Sequence, residues 1–221
     1  MIKGIVFDMD GLMIDSERLA GEALKQAMRE QNLTYREEIR NSAIGRNAFV
    51  VDEIYCRAFG AEKAIIVRAR MKEIISAYYQ ENGVPVKKGL YELLDFLETL
   101  GIKKAVASSS KRATIENLLS AIGVLGRIDA YIGGDETHKG KPDPEIFLKA
   151  CERLSIAPKE ALVLEDSVAG VAAAVNGGIP VVLIPDICPH TPESMTKAAA
   201  VLDDLLEVIP FIRQKNGWTD L

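Results

Sequence analysis

The 221-residue chain is 48% hydrophobic and 27% charged, which excludes a disordered or fibrous polypeptide and provides for one sizeable core. Its 27 lysines and arginines stand against 32 aspartates and glutamates, a net charge of -5, so there is no broad cationic surface for nucleic acid or anionic lipid. A phosphorylated ligand would need a local cationic site, and no apolar run approaches the roughly 20 residues of a membrane span. The first residues carry no signal-peptide pattern, and the expected compartment is the cytoplasm. Cys56, Cys151 and Cys188 are too dispersed for a disulfide framework or a zinc site. With only His138 and His190 available, chemistry built on histidine clusters has little material, and carboxylates are the candidate working groups.

The first apolar run, residues 4–7, is short and leads at once into Asp-Met-Asp-Gly, which predicts a buried strand ending in a loop. Over 17–31, Leu19, Ala23, Leu24, Ala27 and Met28 recur at helical spacing, and Thr34 with Glu37 reads as a capping box for a second helix. Two more helices are predicted over about 47–59 and 61–79. The stretch 16–83 holds no strand pattern and no proline, and reads as an all-helical insertion.

Beyond Gly83 the pattern alternates. Helices are expected over 89–100, 112–122, 144–154 and 168–176, and strands over 103–107, 128–132, 161–164 and 180–184. Such alternation calls for a parallel sheet covered on both faces, because each parallel crossover needs a helix to return the chain. Asp143-Pro144 reads as an N-cap before a first-turn proline, and Gly101, Gly123 and Gly177 stand where helices should stop. The expected fold class is α/β: a doubly wound parallel sheet built from 1–15 plus 84–221, with 16–83 as an inserted helical cap. An insertion leaving just after the first strand sits above the carboxyl edge of the sheet, where open α/β sheets bind ligands.

The residues just past the predicted strands point to one site. Asp8 and Asp10 come after the first, Ser108 and Ser109 after Ala-Val-Ala, Lys141 lies past the 128–132 strand, and Glu165-Asp166 comes after Leu-Val-Leu. Singly, each is an ordinary turn or cap residue; jointly, acids, hydroxyls and one cation at converging strand ends form a candidate site. Hard carboxylate oxygens suit Mg²⁺, and a lysine with hydroxyls suits the remaining oxygens of a phosphoryl group. Without such screening an anionic nucleophile is repelled by an anionic substrate.

Phe7-Asp8-Met9-Asp10-Gly11-Leu12-Met13-Ile14-Asp15-Ser16 closely resembles the first motif of the haloacid dehalogenase superfamily. The Ser108 segment resembles its second, Gly140-Lys141-Pro142-Asp143-Pro144-Glu145-Ile146-Phe147 its third, and Leu164-Glu165-Asp166-Ser167-Val168-Ala169-Gly170-Val171 its fourth. The insertion sits where the subfamily of β-phosphoglucomutases and sugar-phosphate phosphatases places a helical cap. The resemblance implies that Asp8 is the nucleophile forming an aspartyl-phosphate and that Asp10 is the general acid and base. In a strand-like segment i and i+2 share a face, so both carboxylates can reach one phosphorus. It further implies that Asp8, Asp10 (through its backbone oxygen), Asp166 and Glu165 surround Mg²⁺, with Glu165 as a ligand or a supporting acid. Ser108, Ser109 and Lys141 would hold the phosphoryl oxygens.

A dehalogenase proper displaces halide, which needs no proton, so Asp10 argues against that branch. The choice between water and a sugar as acceptor falls to the cap. Mutases of this kind carry a histidine where this chain has Ala20, which favours a phosphatase over a β-phosphoglucomutase-type mutase. A catalytically silent phospholigand-binding protein is the reading from another class, although none of Asp8, Asp10, Lys141 or Asp166 is lost. Within the cap, Gly45-Arg46-Asn47 offers Arg46 to a second polar group of the substrate; an ion pair at the surface is the competing role. Arg70 and Lys72 are weaker candidates, His138 reads as an exposed loop residue, and Trp218 reads as surface packing. The expected partner is a small phosphorylated metabolite, with no nucleic acid or membrane, bound by a monomer.

Overall fold

A computed structural model describes residues 1–46, 48–187 and 190–218. Among these, six strands form one parallel sheet: β1 (Gly4–Phe7), β2 (Lys103–Ser108), β3 (Ala130–Gly133), β4 (Ala161–Glu165), β5 (Val181–Leu183) and β6 (Ala200–Val201). Their order is β3-β2-β1-β4-β5-β6, with Phe7 in register with Val106 on one side and Leu164 on the other. The order reverses between β1 and β4, and at such a switch point the carboxyl ends open a crevice.

Four helices come after β1: α1 (Ser16–Glu30), α2 (Glu37–Ala43), α3 (Ala48–Phe59) and α4 (Ala61–Asn82). The sheet is then wound by α5 (Leu90–Thr99), α6 (Arg112–Ala121), α7 (Glu145–Leu154), α8 (Val168–Asn176), α9 (Pro192–Lys197) and α10 (Val208–Asn216). Alternation along β1 sends Ile5 and Phe7 to one face, against Leu90, Leu93, Leu94 and Leu97 of α5 and Ile212 of α10. The i, i+3, i+4, i+7 spacing of those leucines makes one apolar stripe, and each burial contributes about 2 kcal/mol. Val6 faces the other way, against Phe147 and Ala150 of α7 and Ala173 and Ala174 of α8. The α1–α4 unit closes its own cluster around Leu24, Met28, Tyr55 and Val67. Its entry and exit are tied together: the Asp15 N–H donates to the Pro85 carbonyl and the Lys87 N–H to that of Met13, both at 2.9 Å. No helix among the described residues is long and apolar enough to cross a membrane.

Several local expectations are revised. Thr34 does not cap α2; the helix starts at Glu37 after an extended Arg36 and has no side-chain cap. Leu33 and Tyr35 pack on the α1–α4 cluster, and burying alternate residues keeps that segment extended. Pro144, not Asp143, occupies the cap position of α7; Asp143 Oδ1 accepts the Glu145 N–H at 3.1 Å from one residue further out. Gly177 does end α8, as its C-cap, and the left-handed residue follows at Gly178, φ 66°. Trp218 packs, partly buried, against the β1–α5 core, as expected of a surface-packing residue.

Candidate active site

The switch point brings the expected residues to one crevice. Asp8 comes directly after β1, and its N–H donates to the Leu164 carbonyl at 3.0 Å, which extends the β1–β4 pairing to the site. Lys141 reaches in from the loop before α7, its ammonium 2.5 Å from Asp8 Oδ1 and 2.5 Å from Glu165 Oε1. The same ammonium lies 4.8 Å from the centre of the Phe147 ring, which covers it. Glu165 is fully buried; its Oε2 accepts the Ser167 N–H at 2.8 Å and the Ser167 hydroxyl at 2.9 Å. Ser167 Oγ in turn caps α8 by accepting the Gly170 N–H at 3.0 Å. A side chain at Gly170 would collide with the Glu165 carboxylate, so glycine is what lets the first turn of α8 press on this network.

Burial sets the electrostatics. It pushes the Asp8 carboxyl up to about 8, with Lys141 opposing and Glu165 and Asp10 reinforcing the rise. Burial raises Asp166 well above the usual carboxylate range as well, helped by the neighbouring Glu165, Asp8 and Glu17 charges. For Lys141 burial acts downward, but Asp8 and Glu165 outweigh it and hold the ammonium above its ordinary value. Lys141 is therefore a permanent cation between two acids.

Asp10 stands two residues on, where Gly11 at φ 86° turns the chain back and its N–H donates to the Ile14 carbonyl at 2.9 Å. Asp10 Oδ1 accepts from Ser16 at 2.9 Å, and Oδ2 accepts from Ser108 at 3.2 Å and Ser110 at 3.0 Å. Sequence reasoning does not single out Ser110. Ser109, expected beside Ser108, instead donates to the Gly45 carbonyl of the α2–α3 loop at 3.3 Å. β2 ends at Ser108 and the chain bends at once, the Ser110 N–H donating to Ser108 Oγ at 3.0 Å, so a serine turn brings both hydroxyls to Asp10. Arg46 is exposed and reaches the Lys141 carbonyl at 3.4 Å. Asp8, Asp10, Ser108, Ser109, Arg40 and Arg46 line a cavity of about 330 Å³ roofed by α1–α4. Ala20 lines it too.

Among the described residues, no three carboxylate, imidazole or thiol side chains are grouped as a metal cage. Both Glu165 oxygens are taken by Lys141 and Ser167, and those of Asp10 by three serine hydroxyls. Of the two roles expected of Glu165, these bonds fit that of a supporting acid, while Asp8, Asp166 and the Asp10 backbone oxygen stay the expected metal set. Asp166 lies against the Asp10–Gly11 backbone, where a side chain at position 11 would collide with its carboxylate. Two buried carboxylates beside the Asp10–Gly11 backbone, the charge of Asp8 adding to the rise that burial causes at Asp166, are hard oxygen donors that fit Mg²⁺.

Glu17, at the start of α1, is a second residue that sequence reasoning passes over. Burial pushes its carboxyl up to about 7, with Asp10 and Asp186 adding to the rise and Arg40 opposing it. A raised folded-state value contributes stability below the ordinary range near 4.5, and that contribution is lost as pH climbs through about 7. In metal-free protein, Glu17→Gln is therefore expected to raise stability at pH 8 by about 2 kcal/mol relative to wild type, with little change at pH 4. Urea melts at the two pH values check this.

Comparisons with known proteins agree with this geometry. Residues 5–184 match the model of the family described as haloacid dehalogenase-like hydrolase. The chain is 31% identical over 211 residues to validoxylamine A 7'-phosphate phosphatase of Streptomyces hygroscopicus subsp. limoneus, covering 94% of this chain and 96% of that one. It is 30% identical over 183 residues to a phosphorylated carbohydrates phosphatase of Thermotoga maritima, covering 80% and 82%. Among solved structures, CbbY of Rhodobacter sphaeroides in complex with phosphate superposes with a TM-score of 0.79 at 25% identity, over 94% of this chain and 96% of that one. With the family model matched over residues 5–184 and a relative 31% identical across 94% of its length, the chain belongs to the haloacid dehalogenase-like hydrolases.

Proposed function

We propose that the protein is a Mg²⁺-dependent phosphatase that hydrolyses a small phosphate monoester, such as a sugar phosphate, through an aspartyl-phosphate on Asp8. The observation that carries this reading is the buried Lys141 ammonium bridging Glu165 to Asp8, whose carboxylate lines a cavity together with Asp10. With Asp8 Oδ1 held by Lys141, Oδ2 is the oxygen left to attack phosphorus. As the new bond forms, the bond to the leaving oxygen breaks and Asp10 donates a proton to it. Asp10 then takes a proton from water, which attacks phosphorus, releases inorganic phosphate and restores Asp8. Ser108 and Lys141 bind the phosphoryl oxygens, and Glu165 orients Lys141 without touching substrate.

Asp8, Asp166 and the Asp10 carbonyl would hold Mg²⁺, whose charge offsets the repulsion between carboxylate and phosphate. The α1–α4 unit acts as a cap that excludes bulk water from the reacting centre. Named relatives act on phosphorylated carbohydrates and on validoxylamine A 7'-phosphate, and Ala20 in the cavity wall supports water over a sugar as acceptor. The test is phosphate release from p-nitrophenyl phosphate and a sugar-phosphate panel, with Mg²⁺ and with EDTA. EDTA is expected to lower the rate at least about 100-fold, restored by added Mg²⁺; turnover indifferent to EDTA would remove the metal from the scheme. Isomerisation of glucose 1-phosphate faster than phosphate release would move the reading to a mutase.

A further inference from the structure

A second cavity opens from the first. It measures about 730 Å³ and runs between α4 and α6, from Asp10 outward to Gly83 and Val84 at the exit linker. Asp10, Glu17, Ala20 and Ser110 line both cavities, so the two form one cleft with the proton-donating acid at its waist. The walls differ from those at the phosphate end. Ile75 and Tyr79 of α4 face Leu118 and Ala121 of α6, with Met71 deeper in. Leu118 and Ala121 lie at helical spacing from Thr114, and Ile75 and Tyr79 from Met71, so each helix presents one stripe to the opening.

The gap does not reflect a cap lifted clear of the sheet. On the far side the cap rests on the core: Ser109 bonds the Gly45 carbonyl, Arg46 reaches the Lys141 carbonyl, and a side chain at Gly45 would press on Ser167. With that loop seated, the α4–α6 side remains open and mostly apolar. Its volume is in the range that drug-sized ligands fill, several times what a phosphoryl group and a short polyol occupy.

Resting on the phosphatase reading above, we propose that this second cavity receives the leaving alcohol, and that the substrate is a phosphomonoester of an extended alcohol with an apolar or ring-bearing distal part. The phosphoryl group sits at Asp8, the bridging oxygen at Asp10, and the chain beyond it runs along the cleft toward Tyr79 and Leu118. The test compares 6-phenylhexyl phosphate with ethyl phosphate, two primary alkyl esters whose leaving groups have matched basicity. On Asp8→Asn protein, calorimetry is expected to give a Kd for the phenylhexyl ester at least tenfold below that for ethyl phosphate. On wild type, kcat/KM should favour it by a similar factor.

Ala121→Trp and Ser76→Trp add bulk from opposite walls at exposed positions, and each should bring both ratios close to one. Equal Kd values for the two esters, or a ratio that neither tryptophan changes, would overturn the proposal. A preserved Kd ratio with no turnover of either ester would instead overturn the phosphatase reading and leave the subsite standing. Turnover of both esters with equal Kd values would do the reverse.

Discussion

Asp8→Asn is expected to lower phosphate release at least about 10⁴-fold while leaving the protein folded, with Tm within about 4 °C of wild type. Two arguments meet here. Chemically, an amide cannot form the acyl phosphate, and no other acid in the cavity takes the same position at the end of β1. Energetically, the Asp8 carboxyl is pushed up to about 8 by burial, so its negative charge is not a source of stability near neutrality. A raised folded-state value means that the acid stabilises the fold below its ordinary value of 3.8 and loses that contribution as pH rises through about 8. Asparagine keeps the size and an acceptor for Lys141 and stays neutral throughout. Metal-free Asp8→Asn should therefore show a flatter stability profile than wild type between pH 4 and 8. Activity within tenfold of wild type would end the covalent scheme.

Lys141→Met reverses that pattern. Methionine matches the length of the aliphatic stem but leaves Asp8 and Glu165 facing each other, buried and without a cation. Removing one partner of a buried ion pair costs about 3–5 kcal/mol, because the remaining charge stays desolvated. Urea unfolding should show a loss of that size, and turnover should fall below detection since the phosphoryl oxygens lose their cation. Adding Glu165→Gln in the same background should recover part of the stability and none of the activity, which separates the electrostatic cost from the catalytic one. A stability loss under about 1 kcal/mol would mean that Lys141 is not the hub the geometry describes.

Much of the fold is legible in the sequence because it rests on local periodicity. The leucines of α5 and the apolar positions of α1 repeat at helical spacing, β1, β2 and β4 are short continuous apolar runs, and these elements form where expected to within a few positions. The carboxyl-terminal part is less legible. Only two residues make up β6, too few for any alternation, and α10 starts after Glu207 with no side-chain cap to mark it. The capping pattern at Thr34 misleads because tertiary packing of Leu33 and Tyr35 prevails over a local motif.

In the site the division is similar. Asp8, Asp10, Ser108, Lys141, Glu165 and Asp166 are readable because short motifs come after predicted strands, and a parallel sheet carries strand ends to one edge. Which oxygen each residue offers is not readable. Glu165 is turned from a candidate metal ligand into the support of Lys141 by Ser167, and Ser109 is turned toward the cap while Ser110 takes its place at Asp10.

The amino-acid order alone determined the chemistry available here, since residue types and their spacing from strand ends are local properties. Only the tertiary structure decided which acids Lys141 bridges, how strongly burial shifts Asp8, and that α4 and α6 leave an apolar cleft beside Asp10. Those outcomes depend on distances between segments far apart along the chain, and no local pattern encodes them.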